Sequence, residues 1–397
     1  LDRSSAASDV YKRQAQHYAK GTVMNIRALI NSGLAVIALW VAADTAMAVT
    51  CTYMNGIQPA NGSMPLQISA ITVGRDVPVG AEVYRQKFSM AAGQAVKLEC
   101  LYAPYEQSTE FTVDSGYGLA NVTSGVYANK VYRTSIQGLG VAFTSTGSPL
   151  PRATSKMWTS CTPGWRCLVP FDGPSNFELV LIKLGDVEPG VLVGNTLPTV
   201  SLFGSFGDAR MLGFKMGISG TIQIVSRTCS TPDVNVPMGT HQTKTFTGVN
   251  TASAWVDFAI RLNDCPAFTG TFRTTGPGWI SQSGNSPSGS STPGTVVNNT
   301  LQYRVDPART AINGGNGVLS LDSTTGGSAP AATGVGVQVA TPNGIGLPLA
   351  TNQNSGLALR ATEGSYSIPL RARYLQTQSK VTPGPANASA TFTIIYQ

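Results

Sequence analysis

Six cysteines, Cys51, Cys100, Cys161, Cys167, Cys229 and Cys265, carry the clearest chemistry in the chain. An even set in an exported protein reads as disulfides. Pairing in sequence order, Cys51–Cys100, Cys161–Cys167 and Cys229–Cys265, keeps each bridge inside one candidate unit, while other connectivities stay open. A bridge closing the Cys229–Cys265 loop would stabilise by roughly 3–4 kcal/mol in the chain-entropy model. Zinc is a poor alternative: His17 and His241 are the only histidines, and no cysteine pair has tight ligand spacing. No metal or other cofactor is expected. Hydrolytic chemistry is weakly supported too. A Ser/His/Asp set would have to use His241, and scattered carboxylates make chance pairs of the glycosidase kind unavoidable. The chain is therefore expected not to be an enzyme.

Export is written at the start of the sequence. Met24-Asn-Ile-Arg27 is a short basic opening, Leu34–Ala43 is apolar throughout, and Ala46-Met47-Ala48 offers small residues for cleavage. That is a secretory signal layout, and the run falls short of the roughly 20 apolar residues a spanning helix needs. The mature chain is expected to begin at Val49. Residues 1–23 are read as a non-native leader, because Asp9-Val-Tyr-Lys-Arg-Gln14 resembles a translated sequencing adapter.

The elements that must position these residues are β-strands. Charged residues make up 12% of the 397 residues, while 43 Gly and 24 Pro punctuate short runs of Val, Thr and Ser, a balance that favours an all-β fold with many turns. The net charge of +7 is spread thinly, without the clustered basic residues and aromatics of a nucleic-acid site. In Tyr366–Tyr374 every even position is apolar, which predicts a strand with one wet face, and Pro369 among the odd positions suits an edge. Ala390, Phe392, Ile394 and Tyr396 repeat the alternation. Val180–Leu184 and Thr199–Phe203 read as late strands of a first unit. The glycines between Gly213 and Gly220 suggest a junction, so that Thr221–Val225 would open a second unit. Ser281–Thr295 reads as a long exposed loop. The organisation expected is a leader (1–23), a signal peptide (24–48), a first domain (49–216) and a second (217–397).

Cys229, Val256-Asp-Phe-Ala-Ile-Arg-Leu-Asn-Asp-Cys265-Pro266, Gly334-Val-Gly-Val-Gln338, Ile368-Pro-Leu-Arg-Ala-Arg-Tyr374 and Phe392-Thr-Ile-Ile-Tyr-Gln397 stand in an order that resembles the pilin domains of chaperone–usher fimbriae, particularly those of type 1 tip adhesins. The resemblance implies two immunoglobulin-like β-sandwich domains, the second lacking its last strand. It implies a periplasmic chaperone that fills the gap by strand addition, an outer-membrane usher, and a neighbouring subunit whose N-terminal strand replaces the chaperone. Phe392, Ile394 and Tyr396 would then line the interface, with the Gln397 carboxylate held by chaperone basic residues. A start at Val49-Thr-Cys51 leaves no donor extension, which implies a place at the pilus tip.

The first domain resembles the lectin domain of the same adhesins through Cys51, Asn55-Gly56, Cys100, Glu106 and Glu110-Phe111. By that resemblance a Cys51–Cys100 bridge would tether the Val49 amino group near residues 101–111 as part of a glycan site. Tyr102 and Tyr105 would form an aromatic rim, with Glu110 and Asp186 as polar partners. Mannose-binding members carry an Asn-Asp pair where Tyr102 and Ala103 stand here, so mannose itself is not implied. Cys161 and Cys167 enclose Thr-Pro-Gly-Trp-Arg, which either presents Trp165 and Arg166 or braces a connection. The other readings are a structural tip subunit without lectin activity and, more remotely, a secreted carbohydrate-active enzyme.

Overall fold

The computed structural model describes residues 48–54, 56, 58–91, 93–101, 105–158, 167–170, 176–282, 288–324 and 329–397. The signal segment, Asn55, Tyr102, Ala103 and Cys161 lie outside the described residues. Strands dominate, with three single-turn 3-10 helices among the described residues.

Two large hydrophobic cores form among the described residues, with a small third cluster of Val131, Ala142, Val180 and Ile182. Around the first, one sheet takes its centre from Glu106–Asp114, Thr199–Phe206 and Ala209–Ser219, with Ala60–Pro65 parallel at one edge. The facing sheet is built from Leu139–Ser145, Asn176–Lys183 and Glu82–Met90. Phe88, Phe143, Phe177 and Phe214 meet between the sheets, with Phe177 and Phe214 stacked at 5.7 Å. The Val180-Leu-Ile182 run is buried on both faces of its strand, which is why it reads as continuously apolar rather than alternating. Thr50–Tyr53, Lys97–Leu101 and Cys167–Pro170 form a small antiparallel sheet alongside.

The second core lies between two smaller sheets. One has the order Val256–Cys265, Gly364–Gln376, Val335–Ala340, Val318–Leu319; the other Gln353–Asn354, Leu301–Pro307, Ala390–Tyr396. The alternation from Tyr366 to Tyr374 becomes a strand in which Ile368, Leu370, Ala372 and Tyr374 are buried. Val335–Ala340 covers only Arg371–Gln376, so at Pro369 the strand has a neighbour on one side alone.

Two expected boundaries move. Thr221–Val225 does not open the second unit: it pairs with Gly190–Val193 and Ala70–Thr72, and Ile222 and Ile224 enter the first core. The glycine-rich 213–220 stretch is mostly one strand, Ala209–Ser219, whose Met216 and Ile218 are buried in that core. The cores therefore part after Val225, because side-chain burial outweighs the weak strand propensity of glycine. The expected loop Ser281–Thr295 likewise holds Gly289–Thr292, with Thr295–Val297 beside it. Gly289–Thr292 pairs with Gly278–Ser281, which lies parallel against Glu82–Met90 and extends the first sheet with sequence from the second unit.

Candidate functional site

Two places carry exposed chemistry. The first is the end of the first core where Thr50–Tyr53 begins. Cys51 and Cys100 face each other across paired strands and are bridged. Val49, just before them, packs on Gly207, where a Cβ would sit 2.6 Å from Val49 Cγ2 and where φ is +56°. Glycine is required at that turn for both reasons. The Gly207 amide donates to Glu106 O, which joins this turn to the strand carrying Glu106 and Glu110. Glu110 is paired with Arg210 at 3.0 Å, and the Arg210 guanidinium lies 3.6 Å over the Phe203 ring. Val49 and Glu106 are thus brought to one end of the strand Glu106–Asp114, while Glu110 stands midway along it, opposite Phe203.

Tyr105 and Asp186 are not part of an exposed rim there. Tyr105 is 2% exposed and meets Phe206 edge-on at 6.2 Å, so its ring belongs to the core and cannot stack on a ligand. Its apolar body is worth more buried than a rim contact would be. Asp186 lies elsewhere, lining a recess of about 450 Å³ with Arg75, Lys183, Ser226 and Arg227, where the two cores meet. Tyr102 and the Cys161–Cys167 bridge lie outside the described residues; Cys167 itself is buried beside Cys100.

The aromatic that sequence reasoning missed is Trp158. It pairs opposite Glu106, is 67% exposed, and follows Met157, which is 58% exposed. Lys156 reaches Glu106 at 3.1 Å. Two large apolar side chains directly after a charged residue were the available signal in Lys156-Met-Trp158. A separate cleft of about 750 Å³ lies on the outer face beneath residues 120–127, lined by Val122, Val131, Ile182 and Arg133. Among the described residues, Val49, Tyr105, Glu110 and Asp186 do not line it.

The second place is a groove of about 770 Å³ along the second core, lined by Val234, Val236, Met238, Val337, Tyr374 and Phe392 among others. On one side runs Ala390–Tyr396, paired with Leu301–Pro307 along its inner edge. Ile394 and Tyr396 are buried and Phe392 half-buried at the groove. On the other side Val234, Val236 and Met238 are half-buried at alternate positions, between exposed neighbours. That is the pattern of a strand, yet residues 231–240 belong to no sheet. The Cys229–Cys265 disulfide and a hydrogen bond from Cys229 N to Tyr396 Oη at 3.0 Å anchor its start. Gln397 is exposed and exchanges backbone bonds with Thr300.

Residues 216–397 match the family model described as fimbrial protein. The chain is 26% identical over 364 residues to the fimbria adhesin protein of Klebsiella pneumoniae, spanning 91% of this chain and 98% of that one. It is 30% identical over 194 residues to the type-1 fimbrial protein subunit of Serratia marcescens, 46% of this chain and 89% of that one. Among solved structures, the CupB6 tip adhesin of Pseudomonas aeruginosa aligns over 87% of this chain and 94% of its own, at 15% identity and a TM-score of 0.33. The chain belongs to the fimbrial protein family. Its place is the pilus at the cell surface, reached through the periplasm.

Proposed function

We propose that this chain is a pilus-tip adhesin of the chaperone–usher kind, which accepts a β-strand from another chain in its second unit and binds a glycan through its first. The observation that carries the reading is the groove itself. A sandwich face with apolar side chains on both banks and an unpaired edge is a template for an added strand. The occupants would be, in turn, a periplasmic chaperone and the next pilus subunit, with the outer-membrane usher as the site of exchange. Val49, Glu106 and Trp158 favour the exposed end of the first core as the receptor site, with Glu110 farther along the same strand as Glu106. Trp158 would supply the face on which a sugar ring stacks.

The test is pilus incorporation of full-length variants in the native host. Phe392→Asp, which places a charge in the groove, is expected to abolish incorporation, while Thr391→Asp on the exposed side is expected to assemble normally. Pili carrying Phe392→Asp at the ordinary level would overturn strand acceptance. Glycan-array screening of the purified full chain tests the other half, and failure to retain any glycan would favour a structural tip subunit.

A further inference from the structure

The outer edge of Ala390–Tyr396 is not open along its whole length. Gln397 and Thr300 exchange both backbone bonds, so in the antiparallel ladder Ile395, Thr393 and Thr391 also turn their backbone groups inward. Ala390, Phe392, Ile394 and Tyr396 turn theirs outward. At Tyr396 both outward groups are already taken by the first unit. Its N–H donates to Asp76 Oδ2 at 2.9 Å, and its carbonyl accepts from the Asp76 amide at 3.1 Å. Asp76 thus occupies the position of a neighbouring strand residue for one pair, using a carboxylate where a strand would use a carbonyl.

The segment carrying Asp76 is held from several sides. Lys183, buried in the first core, donates from Nζ to Gly74 O at 3.1 Å and also to Arg75 O. Asn299 donates to Thr72 O at 3.0 Å from the second unit. The Arg75 guanidinium stands 5.9 Å from the Tyr396 ring centroid. Gly74 approaches so closely that a Cβ there would lie 2.4 Å from the Tyr396 carbonyl oxygen, so only glycine permits this seat.

We infer that the Gly74–Asp76 loop is an end-stop for the groove: it limits an incoming strand to pairing with Ala390, Phe392 and Ile394 and thereby sets the strand's length and register. The partner it fits is an extended segment of about seven residues, five opposite Ala390–Ile394 and one beyond at each end, at the usual strand rise of roughly 3.3 Å per residue. Register needs such a device here, because a slip of one residue would turn every apolar side chain of the guest out of the groove. The inference rests on strand acceptance as proposed above.

The experiment uses the full chain and synthetic lysine-capped peptides with alternating Val and Thr cores of five, seven, nine and eleven residues. For the unaltered chain, affinity is expected to rise from five to seven residues and then level off. In the Gly74→Ala/Asp76→Ala chain, the nine-residue core is expected to bind about tenfold tighter than the seven-residue one, since one further hydrogen-bonded pair becomes available. Asp76→Ala alone, the milder change, is expected to move the length dependence the same way. If peptides bind but the levelling length is the same in all three chains, the end-stop is overturned and strand acceptance stands. Should no peptide of any length bind any of the chains, strand acceptance falls and the end-stop with it.

Discussion

The rings of Tyr84, in the first core, and Phe272, from the sequence of the second unit, meet edge-on at 6.3 Å. Around that contact the segment 271–281 crosses from one unit to the other. Gly278–Ser281 runs parallel to Glu82–Met90, and Trp279 packs on the first core. The two units are therefore joined by a shared sheet and not only by the chain passing through Val225.

A consequence concerns dissection of the protein. A fragment ending at Val225 lacks Gly278–Ser281 and bares the edge of Glu82–Met90, so it is expected to associate or unfold more readily than the intact chain. Within the full chain, Phe272→Ala is expected to cost about 2 kcal/mol, below the fully buried case because the ring is only partly covered. Size-exclusion chromatography of the fragment and urea unfolding of the variant check both. A monomeric fragment as stable as the full chain would remove the shared sheet from the account.

Alkaline pH should destabilise the fold. Burial raises the phenols of Tyr53, Tyr84, Tyr127, Tyr132, Tyr303, Tyr374 and Tyr396 above their ordinary 10.0. The unfolded chain then gives up these protons at lower pH than the folded one. Their contribution is fully present below about pH 10 and is lost as pH rises through the folded values. The urea midpoint is expected to hold to about pH 9 and to decline beyond about pH 10. Tyr303→Phe, which removes a phenol raised by burial alone, should make the decline shallower. A midpoint level to about pH 11.5 contradicts this.

Trp158 offers a substitution that separates binding from stability. Its ring is 67% exposed, so Trp158→Ala is expected to leave the melting temperature nearly unchanged. Retention on the receptor glycan found by array screening should fall by about tenfold or more, the scale of a lost aromatic platform. Binding that survives intact would move the receptor site away from this strand.

How far the sequence reached depended on how local each signal was. The strands Gly364–Gln376 and Ala390–Tyr396 were legible because alternation is a property of neighbouring residues, and burial followed it from Ile368 to Tyr374 and at Ile394 and Tyr396, while Ala390 is exposed. The Cys51–Cys100 and Cys229–Cys265 bridges were legible from order along the chain. At the Val49 end the same reasoning put Tyr105 on the surface, since nothing in a tyrosine's sequence neighbours says whether another ring, here Phe206, will cover it, and it grouped Glu110 with Val49 although Glu110 stands midway along Glu106–Asp114. It also read Thr221–Val225 into the wrong core and Ser281–Thr295 as loop, because strand edges carry the same backbone groups everywhere and accept any neighbour that arrives.

By itself, then, the sequence determined the all-β class, the family and the apolar face of the last strand, all written in composition and short-range pattern. Only the tertiary structure decided what lies beside each edge. It set Gly278–Ser281 against Glu82–Met90, left Ala390, Phe392 and Ile394 without an outer neighbour among the described residues, and put Asp76 at Tyr396. Those pairings are backbone hydrogen bonds between residues far apart in the chain, and a backbone amide does not encode its partner.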